Sequence, residues 1–250
     1  QRQMCIRDSD YSGTAFPLNR PQAACRVRLM IKTAIFDFDG TLADTIPLCR
    51  EAFRRAVREL DGRTLTDEEI ERQFGPDDLG VIQRLLPGKP ELHEKGRELF
   101  LRYYRELHPE LAPTPFPGAA GLLHALRSRG IRLAMVTGKR LESAEISLQF
   151  FHLAEFFPIL ETGSPEGGVK PDRIRRALDR LDSSAGEAIY IGDSPTDVDA
   201  CRAVPIRILA AGWAAEADVK GLEERKPDYL LTRFEDLDRF FREHDGNEGL

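Results

Sequence analysis

Residues 34–44 read AIFDFDGTLAD, an apolar run that ends in acid. The segment 32–38, KTAIFDF, is short, β-branched and aromatic, and Gly40 bounds it, which is the pattern of a buried strand. Asp37 and Asp39 stand at its C-terminal end. Burying one carboxylate is costly, and two within a few ångströms cost more unless a cation or a developing charge compensates them. Packing gives no reason for such a pair, so the stretch points to chemistry. Two residues apart in a regular strand, the acids are expected on one face.

Downstream of this strand the pattern turns helical. IPLCREAFRRAVREL (46–60) places Leu48, Ala52, Phe53, Ala56, Val57 and Leu60 at helical spacing and stops near Asp61 and Gly62. TDEEIERQF (66–74) opens with Thr66 and carries Glu69 three residues later, a capping-box pattern. DDLGVIQRLL and ELHEKGRELFLRYYREL continue in helical periods, and the prolines of APTPFPG (112–118) end the block. Residues 45–113 are therefore expected as an α-helical cap domain inserted after the first strand. The turn FGPDDLG (74–80) is either a simple connector between helices or a loop that reaches over the strand end and reads a substrate's leaving group.

From 114 onward, helices alternate with strands: IRLAMVTG, FPIL, EAIYIGD, IRILAAG and DYLL are the strand segments. Such alternation predicts an α/β core (30–44 and 114–250), a Rossmann-like, doubly wound parallel sheet covered on both faces. Ligands of such sheets bind beyond the carboxyl ends of the strands, where every polar motif of this chain falls.

At the first strand end, an aspartate can attack phosphorus to give an acyl phosphate, and a second carboxyl group can protonate the leaving oxygen and then activate water. Asp37 takes the first role and Asp39 the second. Gly40 lets the chain turn, and Thr41 with nearby backbone N–H groups is expected to hold phosphate oxygens. In VTGK, Thr137 and Gly138 are placed to bind another phosphoryl oxygen. Lys170, ahead of Pro171, supplies the cation that a carboxylate-rich phosphate site needs. In IYIGDSPTDVDAC, Asp193 and Asp197 complete an oxygen-rich set suited to Mg2+. The expected ligands are the Asp37 and Asp193 carboxylates and the Asp39 backbone oxygen, with Asp197 orienting them. Without the metal, the carboxylates would repel a phosphate dianion.

DFDGTLAD, VTGK, KP and GDSPTD, in that order and with a helical block between the first and second, resemble the four motifs of the haloacid dehalogenase superfamily. The resemblance covers about residues 32–237. It implies a core with a five-stranded central sheet, a helical cap, and Mg2+-dependent phosphoryl transfer through an aspartyl phosphate. GTLAD, PFPG and the size of the insert are similar to the phosphoglycolate phosphatase-like branch. Dehalogenases of the family lack an aspartate at the position of Asp39, so dehalogenation is not expected. A phosphomutase, or a non-catalytic phosphometabolite-binding protein on the same fold, remains an alternative.

Composition bounds the partners. With 250 residues, 41% hydrophobic and 31% charged, the chain can fill a sizeable core, and its net charge of −6 argues against a nucleic-acid or anionic-membrane surface. The expected partner is a small phosphorylated metabolite, and the chain is expected as a monomer or homodimer. Cys5, Cys25, Cys49 and Cys201 form neither a CxxC pair nor a disulfide framework, which fits a cytoplasmic protein. His93, His108, His124, His152 and His244 have no ligand spacing and are expected as surface or helix-face residues. Residues 1–29 are expected to be disordered or non-native: MCIRDS (4–9) is what DNA resembling a transposon-end sequencing adapter encodes, and translation is then expected to begin at Met30.

Overall fold

The computed structural model describes residues 30–244, so the expectation for 1–29 lies outside the described residues. Strand β1 (Thr33–Phe36) is followed by helices α1 (Ile46–Asp61), α2 (Asp67–Glu71), α3 (Asp78–Leu85) and α4 (His93–Leu111). Then come α5 (Ala119–Ser128), β2 (Arg132–Val136), α6 (Leu141–Phe150), β3 (Leu160–Glu161), α7 (Lys170–Arg180) and β4 (Ala188–Gly192). The chain closes with α8 (Pro195–Ala203), β5 (Arg207–Ala211), α9 (Val219–Glu224), β6 (Tyr229–Leu231) and α10 (Asp236–His244).

All pairings are parallel, in the order β3-β2-β1-β4-β5-β6. The sheet has six strands, as the residue pattern predicts, rather than the five implied by the resemblance; β6 is the added edge. Successive residues of a strand enter different cores. Ala34, Phe36, Leu133, Met135, Ile189 and Ile191 join one cluster, while Ile35, Ala134, Val136 and Tyr190 join the other. Burial on both faces is why these strands read as continuous apolar runs. The sheet is Rossmann-like, and its order reverses between β1 and β4, which opens a crevice at their carboxyl ends.

The helical insert follows its periodicity. Leu48, Ala52, Phe53, Ala56 and Val57 of α1 are buried, and Phe53 stacks on Phe100 of α4 with ring centroids 4.1 Å apart. Thr66 and Glu69 form the capping box at α2. Three contacts dock the insert on the sheet layer. The Arg50 guanidinium donates to both carboxylate oxygens of Glu216, at 2.6 and 3.0 Å. Arg140 pairs with Asp77 at 3.0 Å, and the Asp77 N–H donates to the Ser164 carbonyl at 2.9 Å. No helix among the described residues is long and apolar enough to cross a membrane.

Candidate active site

Strand β1 stops at Phe36, before either acid. The Asp37 N–H still donates to the Ile191 carbonyl (2.8 Å), which fixes Asp37 beside β4, but the chain then turns, with the Gly40 N–H donating to the Ala43 carbonyl (2.8 Å). The two acids are therefore placed by a loop, not by a strand face, and they diverge. Asp37 reaches Lys170, whereas Asp39 reaches Lys139. Only glycine suits position 40: its φ is +70°, and an added Cβ would lie 2.2 Å from Asp193 Oδ2.

Lys170 opens α7 and is clasped by two aspartates. Its Nζ donates to Asp37 Oδ2 at 2.6 Å and to Asp197 Oδ1. Burial would lower the ammonium's pKa, but Asp197 and Asp37 override it and hold it far above its ordinary value. Burial pushes the Asp37 carboxyl up to about 6, against the pull of Lys170 and with Asp197 adding to the rise. Asp193 is driven well above the usual carboxylate range by burial and then by Asp197 and Asp37.

Asp37, Asp193 and Asp197 each bring a carboxylate oxygen within 4.8 Å of the others. Their roles separate by what holds them. Asp197 has both oxygens engaged: Oδ1 by Lys170, and Oδ2 by the Ser194 N–H at 3.1 Å as part of the capping box of α8. For Asp193, Oδ1 accepts from the Thr41 hydroxyl at 3.3 Å, and no side chain among the described residues donates to Oδ2. The Asp39 carbonyl likewise accepts none among them. All-oxygen donors with excess negative charge fit a hard divalent cation such as Mg2+.

A cavity of about 630 Å3 opens over this set, lined by Asp37, Asp39, Gly138, Lys139, Lys170 and Asp193. Its far wall comes from the insert: Ile46 and Phe53 of α1, Phe74 and Pro76 of the FGPDDLG turn, and Asp78, Val81 and Arg84 of α3. That turn does reach the strand ends. Thr41 and Thr137 are both buried at the edge of this set and are absent from the cavity lining. Thr41 is fully buried and turned to Asp193, and the Thr137 hydroxyl accepts from the Lys139 N–H at 3.3 Å.

Sequence reasoning gave Lys139 no role. It is 3% exposed, and its Nζ lies 3.2 Å from Asp39 Oδ1, 3.6 Å from Cys49 Sγ and 4.4 Å from the centroid of the Tyr104 ring. Burial would lower its pKa, but Asp39, with Cys49, Tyr104 and Asp78, holds it well above the ordinary value. Asp78, which accepts from the Ser143 hydroxyl, was also missed; burial pushes its carboxyl up to about 6, against the pull of Lys139. No local pattern marks either residue, because each owes its position to contacts between the insert and the sheet. Of the five histidines, His108 is buried, with Nε2 3.0 Å from the Ser147 hydroxyl, and stands clear of the cavity lining.

The chain is similar to several known proteins. A phosphoglycolate phosphatase of Rhodospirillum rubrum is 32% identical over 202 residues, covering 75% of this chain and 83% of that protein. A putative pyrophosphatase PpaX of Caldanaerobacter subterraneus is 30% identical over 209 residues, covering 81% and 91%. Among solved structures, CbbY from Rhodobacter sphaeroides in complex with phosphate superposes with a TM-score of 0.71 at 25% identity, covering 83% of this chain and 96% of that one. The family model for haloacid dehalogenase-like hydrolases matches residues 34–211, and the chain belongs to that family.

Proposed function

We propose that the protein is a Mg2+-dependent phosphatase of a small phosphorylated metabolite, with residues 30–44 and 114–250 as its core and 45–113 as its cap. The observation that carries this reading is the Lys170 ammonium clasped between Asp37 and Asp197 at the β1/β4 crevice, with Asp193 alongside. The named phosphatases among its relatives support it.

In this reading Asp37 attacks the phosphorus while Lys170 orients its carboxylate and offsets the charge of the incoming phosphoryl oxygens. The Gly138 backbone, facing the cavity, is placed to bind a phosphoryl oxygen. Asp39 gives a proton to the leaving oxygen and then takes one from the water that cleaves the phospho-Asp37 bond. Asp37, Asp193 and the Asp39 carbonyl would hold Mg2+, with Asp197 fixing the surrounding groups. When bound, the ion supplies the positive charge that lets a phosphate dianion approach these carboxylates. Ile46, Phe53, Phe74 and Val81 form an apolar wall that excludes water around the leaving group.

Phosphoglycolate and pyrophosphate, named by the relatives, head the substrate list, followed by sugar phosphates and nucleoside monophosphates. The test is phosphate release from this panel with Mg2+ or chelator, by the parent and by Asp37→Asn. Metal-dependent release that the variant lacks supports the reading, and kcat/KM ranks the substrates. A folded parent that releases no phosphate contradicts it; isomerised sugar phosphate would then mark a mutase.

A further inference from the structure

Lys139 leaves the β2 end of the sheet layer and ends among the inserted helices. Cys49 lies on α1 and Tyr104 on α4, and the ammonium sits between them and Asp39. Burying an ammonium costs several kcal/mol unless it is paired, and a residue needed only to fill this space could be leucine or methionine. The charge therefore has a use, and Asp39 is its anionic partner within salt-bridge distance among the described residues.

The contacts on Asp39 are one-sided. Lys139 Nζ and the Thr45 hydroxyl both donate to Oδ1, while Oδ2 accepts no hydrogen bond among the described residues. A carboxyl group held at one oxygen by two donors has a fixed plane and a defined reactive oxygen. With both donors on Oδ1, Oδ2 is the oxygen left open to the leaving group.

We propose that Lys139 is a positioning residue for Asp39, fixing Oδ1 so that Oδ2 carries the proton exchanged with the leaving oxygen. This rests on the phosphatase reading above. In the first step, the bond from Asp37 to phosphorus forms, the bond from phosphorus to the leaving oxygen breaks, and that oxygen takes the Oδ2 proton. In the second, water attacks phosphorus, its proton returns to Oδ2, and the Asp37 carboxylate and inorganic phosphate are released.

Proton delivery matters most where the leaving group is a poor one, which gives a readout that a structural role would not move. The experiment measures kcat/KM with Mg2+ for aryl phosphates of one shape and graded leaving-group basicity, comparing the parent with Lys139→Met. This ratio reports only steps up to loss of the leaving group, so slow cleavage of the phosphoenzyme does not obscure it. The parent should depend weakly on basicity. The variant should lose about 100-fold on the most basic leaving group and less than about 3-fold on the least basic, within the range of a general-acid contribution.

Parallel lines, whether from a uniform loss or from no loss, overturn the proposal. Thr45→Val, which removes the other donor to Oδ1, should steepen the line less strongly, and it serves as the test should Lys139→Met fail to fold; a parallel line there is likewise contrary. A parent that turns over no aryl phosphate with Mg2+ overturns the phosphatase reading, and this proposal with it.

Discussion

Two lysines occupy this site, and they are built differently. Lys170, with its side chain 19% exposed, stands at a helix start between two aspartates of the sheet layer. Lys139, with its side chain 2% exposed, has one carboxylate, a thiol and an aromatic face around it, two of the three drawn from the insert. In the proposed mechanism the first offsets charge where the phosphoryl group would sit, and the second holds the acid beside the leaving group. One lysine belongs to the fold's crevice, and the other exists only where the insert meets the sheet.

The largest expected effect falls on the Lys170 side. Chelation should abolish turnover and added Mg2+ restore it, because Asp37, Asp193 and Asp197 leave excess negative charge that one lysine does not offset. At Mg2+ 100-fold above its Kd, the ion should also stabilise the fold by about 2.7 kcal/mol, measurable by thermal melts. No shift in the melts and chelator-resistant activity would erase the distinction drawn between the two lysines.

Next is Lys170→Met. Losing a preorganised cation at the phosphoryl group should lower kcat/KM by about 10²- to 10³-fold whatever the leaving group. It also leaves Asp37 and Asp197 buried without their cation, which should cost about 3 kcal/mol in denaturant melts. Lys139→Met should cost less than about 1 kcal/mol, since Asp39 keeps the Thr45 hydroxyl and its side chain is 21% exposed. Equal stability losses would mean that the two environments are equivalent.

An effect on stability alone concerns Asp78, on the Lys139 side. Its folded pKa of about 6 lies above the ordinary 3.8, so ionisation costs the folded state. That cost is absent below about pH 4, grows between about pH 4 and 6, and is complete above about pH 6. Asp78→Asn, which still accepts from Ser143, should therefore raise stability by about 3 kcal/mol at pH 7 and leave it nearly unchanged at pH 4. A variant less stable than the parent at pH 7 would show that the charged form is the one the fold favours.

This contrast also explains what could be read from the chain. Asp37, Lys170, Asp193 and Asp197 were legible because each sits at a strand end or helix start whose local pattern is strong: an apolar run, a proline after the lysine, or a Ser-Pro-x-Asp cap. The parallel sheet followed from strict alternation after residue 114, whereas its strand order is seen only in the structure. Lys139 and Asp78 were not legible, since nothing in VTGKR or PDDLG states that α1, α3 and α4 will close around them. The contact of the Thr41 hydroxyl with Asp193, at 3.3 Å, was not legible either, because it depends on the turn at Gly40. The same turn removed the strand geometry from which a shared face for Asp37 and Asp39 was expected.

In the proposed mechanism Asp37 carries the phosphoryl group. Acid quenching during turnover with Mg2+, reduction by borohydride and peptide mass spectrometry would test it most directly, because reduction converts an aspartyl phosphate to homoserine. The account predicts homoserine at position 37, present with substrate and absent without it. Homoserine elsewhere, or none while phosphate is being released, would contradict it.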